Sequence, residues 1–112
     1  MMTWKAVSQF VNTLPGAVID PTGPNPAVRV RSRVIARLRS DGETMMVKVD
    51  WDERAALLRE DPQTFFITPH YGDFPGILVR LAMVDPEQLR ELLTEAWRLR
   101  ASQRMVREFE QR

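Results

Sequence analysis

Apolar residues recur along this chain at two spacings, and the points where one gives way to the other divide it into elements. From Thr3 to Leu14, the residues Trp4, Val7, Phe10, Val11 and Leu14 follow a helical period, with Lys5, Gln9 and Asn12 opposite. Pro15-Gly16 ends that helix. Ala17 to Asp20 reads as a short extended piece, and Pro21-Thr22-Gly23-Pro24-Asn25-Pro26 is too rich in proline and glycine for regular structure.

Val28 to Asp50 reads as strands with two unlike faces. The Ser40-Asp41-Gly42-Glu43 stretch has the Asp-Gly dipeptide of a type I′ hairpin loop, which needs positive φ at both central residues. Ser40 then lies opposite Glu43, so Leu38 pairs with Met45, Ala36 with Val47 and Val34 with Val49 on one apolar face. The other face is basic, with Arg39 beside Thr44, Arg37 beside Met46, Ile35 beside Lys48 and Arg33 opposite Asp50. An earlier edge strand, Val28 to Val30, joins this hairpin through a turn near Arg31-Ser32-Arg33. A three-residue loop aligns Val28 with Ala36 and keeps Arg29 on the basic face, whereas a two-residue loop puts Val30 opposite Arg33 and mixes the faces. The longer loop is the expectation.

After Trp51, which closes the inward set Met45, Val47, Val49, Asp52 is expected to cap a helix through Arg59 that Asp61-Pro62 stops. Phe65-Phe66-Ile67 reads as a short buried strand, Thr68 to Gly76 as a long loop, and Ile77 to Met83 as a central strand, apolar on both sets apart from Arg80. Asp85-Pro86-Glu87-Gln88 has the cap, first-turn proline and N3 glutamine of a helix start. That helix buries Leu89, Leu92, Leu93, Ala96 and Trp97, and Ser102 caps a further piece carrying Met105, Val106 and Phe109. Helix, strands, helix, strands, helix is the order of an α+β two-layer sandwich, an antiparallel sheet with helices packed on one face. The length, 112 residues, is that of one domain over 1–112, with a C-terminal helical extension from about residue 102.

Composition narrows the chemistry. There are no cysteines, which excludes disulfide frameworks, thiolate zinc sites and cysteine nucleophiles. No segment has the apolar length of a membrane span, and the start lacks a signal-peptide pattern, so a cytoplasmic location is expected. The net charge is +1, but its cations are nearly all arginine, with lysine only at Lys5 and Lys48. Arginine offers phosphate and carboxylate a planar bidentate fork that lysine lacks.

Two clusters carry candidate chemistry. The basic strand face, Arg29, Arg31, Arg33, Arg37, Arg39 and Lys48, sets guanidinium groups at strand spacing where a phosphate backbone would meet them. The competing account is a solvated sheet face, with Arg33 paired to Asp50 and Arg39 to Glu43 or Asp41, whose charges discourage edge-to-edge aggregation. The second cluster is the loop holding His70, Tyr71 and Asp73, which contains the only histidine and the only tyrosine. A His-Asp pair is the raw material of a general base. Here no nucleophile accompanies it, and one histidine with scattered acids falls short of a usual transition-metal set. A loop pinned by ring packing and hydrogen bonds is the simpler account. Trp4 and Trp97 lie on apolar helical stripes and Trp51 on an inward strand set, so core packing is expected of all three. Walker, dinucleotide and zinc-finger patterns are absent, and no cofactor or metal is expected.

One run of short motifs resembles the MmcQ/YjbR-like proteins. It comprises Leu14-Pro15-Gly16, Gly23, Pro26-Ala27-Val28-Arg29-Val30, Arg33-Val34-Ile35-Ala36-Arg37-Leu38, Glu53-Arg54, Leu57-Leu58 before Asp61-Pro62, Thr68-Pro69-His70-Tyr71 and Glu95-Ala96-Trp97. The resemblance implies an α+β domain of frataxin-like (CyaY-like) arrangement and a DNA-binding role. The family usually has lysine where this chain has Arg33, and aromatics where it has Val28 and Ile35. The frataxin-like comparison also raises iron binding through an acidic first helix, but Thr3 to Leu14 holds no aspartate or glutamate. The expectation is therefore a non-enzymatic domain that meets DNA phosphate through the arginine face. Two alternatives stand behind it. One is a protein-interaction domain that docks an acidic partner on the same face or on the loop from His70 to Gly76. The other is a small-ligand or enzymatic site at His70, Tyr71 and Asp73.

Overall fold

A strand sends its side chains to two faces in turn, so a sheet with helices on one side must solve two different burial problems. The computed structural model describes residues 1–111. Six strands form one antiparallel sheet: β1 (Ala17–Asp20), β2 (Ala27–Val30), β3 (Arg33–Leu38), β4 (Thr44–Lys48), β5 (Phe65–Phe66) and β6 (Gly76–Arg80), in the spatial order β1-β2-β3-β4-β6-β5. The α-helices among the described residues are α1 (Trp4–Val11), α2 (Trp51–Glu60), α3 (Pro86–Arg98) and α4 (Gln103–Glu110), with a 3-10 turn at Pro69–Tyr71. This is the expected α+β sandwich.

The inner face of the sheet supplies Val28, Val30, Ala36, Met45, Val47, Phe65, Ile77 and Val79 to one core. Val7 and Val11 of α1, Leu57 of α2 and Leu89, Leu93 and Trp97 of α3 complete it. Trp97 is fully buried and its indole N–H donates to the Pro15 carbonyl at 2.7 Å, tying α3 to the chain leaving α1. Removing a ring so enclosed costs about 3–5 kcal/mol. The segment after Ser102 folds back on its own chain. The Phe109 ring lies 5.1 Å from that of Trp97, and Arg98 meets Glu110 at 3.5 Å. Met105 packs so closely on Gly16 that a Cβ there would come within 2.6 Å of its methyl carbon, and Gly16 has φ +72° besides. The positive φ favours glycine there, whereas the methyl is the end of a flexible side chain that can shift.

Asp85 and Ser102 cap α3 and α4 as expected, accepting from the N–H groups of Gln88 and Met105. At α2 the cap is Asp50, two residues earlier than expected, because its extended backbone lets the carboxylate accept from the N–H of Glu53 at 2.8 Å. Trp51 consequently enters the first turn of the helix. Instead of joining the core it is 51% exposed and covers the Arg54 guanidinium at 5.0 Å. β5 stops at Phe66 and β6 at Arg80, both shorter than the apolar runs suggest.

Both strand turns depart from expectation. Arg31 and Ser32 alone link β2 to β3, each with positive φ (52° and 70°), so Val30 does pair with Arg33. Phase is restored by a bulge. Arg29 faces Val34 and Val28 faces Ala36, leaving Ile35 without a partner in the ladder. Ile35 is thereby fully buried in the core, not set on the basic face beside Lys48, while Val34 shares the position of Arg29. In the next turn only Gly42 has positive φ, so it is not type I′. Its Gly42 N–H donates to the Arg39 carbonyl, and the Asp41 carboxylate accepts from the N–H groups of Glu43 and Thr44 and from the Thr44 hydroxyl. The register beyond it is nevertheless as expected, with Leu38 opposite Met45 and Ala36 opposite Val47.

A left-handed backbone costs a non-glycine residue about 1–2 kcal/mol, and glycine returns part of that gain as chain entropy. Ser32→Gly is therefore expected to raise the unfolding free energy by about 0.5–1 kcal/mol in urea titration. A loss of stability would contradict this turn geometry.

Candidate nucleic-acid interface

Crossing the ladder on the outer face gives one row of residues, Asp20, Ala27, Arg37, Met46, Leu78 and Phe66. Beside it lie Arg29, paired with Val18 and Val34, and Lys48, paired with Gly76; beyond it lie Arg80, paired with Thr44, and Arg39, whose N–H donates to the Thr44 carbonyl. Ala27, Met46 and Leu78 are buried on this face but stand outside the core cluster that the helices share. An apolar centre is thus ringed by cations.

The ring is mostly unneutralised. Arg29 has a carboxylate partner, Asp20 at 2.7 Å, and also donates to the Ser32 carbonyl at 3.1 Å. Asp20 is held far below the usual carboxylate range, chiefly by the Thr22 hydroxyl, then by Arg29 and the Thr22 N–H. Arg37 donates to the Asn25 carbonyl and Arg80 to the Gln63 carbonyl, each at 3.0 Å. Among the described residues none of Arg37, Arg39, Lys48 and Arg80 forms a salt bridge. The Lys48 ammonium is pushed below the ordinary lysine range by burial, then by the charges of Arg100 and Arg33.

Of the six cations read from the sequence, Arg29, Arg37, Arg39 and Lys48 come together on this face. Arg31 sits exposed in the turn. Arg33 pairs with the buried Val30, which places it with the opposite set, and its expected partner Asp50 is occupied as a helix cap. Arg80 belongs to the face and was not anticipated. The signal was there as the one polar residue interrupting an apolar strand. Two rings were missed as well. Phe65 is in the core, so alternation sends Phe66 outward, where the Arg80 guanidinium lies 4.1 Å from its centroid. Phe74, 37% exposed, stands over Gly76 and Met46, with the Lys48 ammonium 5.6 Å from its ring.

The loop cluster does not assemble as a catalytic pair. His70 is exposed and meets Tyr71 edge-on at 4.9 Å, Tyr71 in turn meets Phe74 at 6.0 Å, and no hydrogen bond joins His70 to Asp73 among the described residues. What holds the loop is Arg54 of α2. Its buried guanidinium donates to the carbonyls of Tyr71 (2.9 Å), Gly72 (3.2 Å) and Phe74 (2.7 Å), without a carboxylate partner. The Tyr71 and Phe74 carbonyls also accept from the N–H groups of Phe74 and Gly76, so the guanidinium adds a second donor to each and supplies the donor to that of Gly72, at the end of a turn whose dipole favours a cation.

The YjbR family profile matches residues 12–99 of the chain. The chain belongs to the YjbR family. Uncharacterised proteins of Mycobacterium bovis and Mycobacterium tuberculosis are 39% identical to it over 69 residues, which is 61% of this chain and 54% of each relative. The chain therefore spans about half the length of these curated relatives. The crystal structure of the Deinococcus radiodurans protein DR2400, with domain DUF419, superposes with a TM-score of 0.78 at 22% identity, covering 98% of this chain and 89% of that one. The YjbR sandwich is thus found in an independently solved structure of low sequence identity. No helix among the described residues of this YjbR chain is long and apolar enough to cross a membrane.

Arg54→Met is expected to strand the Gly72 carbonyl and remove the second donor from those of Tyr71 and Phe74, lowering stability by about 1–3 kcal/mol, with faster amide exchange from Tyr71 to Gly76. Arg54→Lys cannot span three acceptors and should recover only part of the loss. A change under about 1 kcal/mol with unchanged exchange would contradict the clip.

Proposed function

We propose that this chain is a non-enzymatic nucleic-acid-binding domain that contacts phosphate through the outer face of its sheet. The observation that supports this reading is the ring of Arg37, Arg39, Lys48 and Arg80 around an apolar centre, cations that form no salt bridge among the described residues, with Asp41 near enough to Arg39 for its carboxyl to be lowered by that charge. A solvated face built only for solubility gains by interspersing both signs. Here the carboxylate in the row, Asp20, is committed to Arg29 at one edge, and Asp41 to its own turn. Apart from Glu43 at the end of the sheet, the remaining charges are of one sign, which suits a polyanion. Binding of this kind draws on counterion release and weakens steeply with salt.

The test is fluorescence anisotropy with labelled DNA over a salt series. Arg39→Glu with Lys48→Glu is the variant of choice, since Arg37 is tied to the Asn25 carbonyl and Arg80 to that of Gln63. The double variant should keep its circular dichroism, weaken binding at least about tenfold and flatten the log–log salt slope by about 2. Asp20→Asn, which releases Arg29, should tighten binding. Affinity unchanged by the double reversal would contradict the assignment, and an unaltered chain that binds an acidic protein more tightly than DNA would favour a protein partner.

A further inference from the structure

The cations of the outer face are interleaved with rings, and this bears on which form of nucleic acid the face takes. Phe66 and Phe74 lie on the two sides of Leu78, one on the neighbouring strand and one in the approach to β6, and each carries a cation over its ring. Beyond Phe66 and Arg80 the face opens into a cleft of about 570 Å³ at the end of the sheet. Trp4, Phe66, Leu81 and Met83 give it apolar walls, and Arg39 and Arg80 stand at its sheet side. Of its carboxylates, Asp41 is engaged by Thr44 and the turn amides, leaving Glu43 at the rim.

A duplex buries the faces of its bases and offers a protein mainly phosphate, for which arginines alone suffice. A single strand exposes base faces that stack on aromatic rings, and a cleft of this size is in the range that accepts a small planar group. We infer that the nucleic acid taken by this face is single-stranded, with bases stacking on Phe66 and Phe74 as Arg80 and Lys48 swing from over those rings to phosphate, and one base entering the cleft between Trp4 and Arg80. This rests on the nucleic-acid reading above. Arg39, which forms no salt bridge among the described residues although its charge acts on Asp41, stands where the phosphate beside that base would pass.

The experiment compares a labelled thymidine oligonucleotide of about 12 residues with a duplex of the same length, using the full chain and Phe74→Leu. Leucine keeps the apolar contact with Gly76 and Met46 but removes the π-face, so the fold is spared. The single strand should bind at least about tenfold more tightly than the duplex. Phe74→Leu should weaken single-strand binding about fivefold or more, as expected for one lost stacking contact, and leave duplex binding unchanged. In a Trp51→Phe background, single-strand binding should quench Trp4 fluorescence. Equal or tighter duplex binding, with Phe74→Leu neutral, would overturn this inference and leave the nucleic-acid reading in place. Tight single-strand binding with Trp4 unquenched would overturn the cleft assignment. Failure of both forms to bind at low salt would overturn the two readings together.

Discussion

Register governs a sheet in which one face is packed and the other is open, because a slip of one residue exchanges the two faces. In this chain the tight turn at Arg31-Ser32 sets Val30 against Arg33, and continued without interruption that pairing would carry Arg37 and Arg39 to the helix side. The unpaired Ile35 absorbs the slip. It lets Val28 meet Ala36 and Ala27 meet Arg37, so that β3 leaves the bulge with its apolar residues inward and its arginines outward. The pairing of β3 with β4, and of β4 with β6, then transmits that phase across the sheet. The outward placement of Arg37, opposite Ala27 of β2, depends on this one extra residue.

The outer face lacks the shared core cluster and is finished differently. Leu78 is fully buried with Met46 and Phe66 as its neighbours in the row, and Phe74 comes down over Gly76 from the loop that Arg54 clips. Arg54 is thus a structural cation at the back of the loop, while Lys48 and Arg80 lie over the rings at the front. The side chains that cover the apolar row thus also carry the charge of this face.

Much of this was legible because alternation and helical periodicity are local. The hairpin register, the inward set Met45 and Val47, the helix caps at Asp85 and Ser102 and the buried Trp97 all follow from short-range pattern. What could not be read depended on geometry with no distinctive residue type. Arg-Ser is not a usual pair for two positive-φ positions, so the short turn and its compensating bulge were invisible, and with them the burial of Ile35 and the displacement of Arg33. Trp51 looked like the end of a strand because Asp50 and Asp52 are equally good caps by type, and the backbone decides between them. Arg54 stood out in the sequence only as part of the Glu53-Arg54 motif of the family resemblance, with nothing to mark its role. Its acceptors lie 17 to 20 residues away on backbone carbonyls, which any residue supplies.

Amide chemical-shift mapping with an unlabelled thymidine oligonucleotide tests most directly whether nucleic acid is received by the helix-free face of the sheet. Perturbations are expected to be confined to Arg37–Lys48, Phe66 and Phe74–Arg80, fading as salt is raised. Shifts centred on α1, α3 or α4, or none at low salt, would contradict binding at that face.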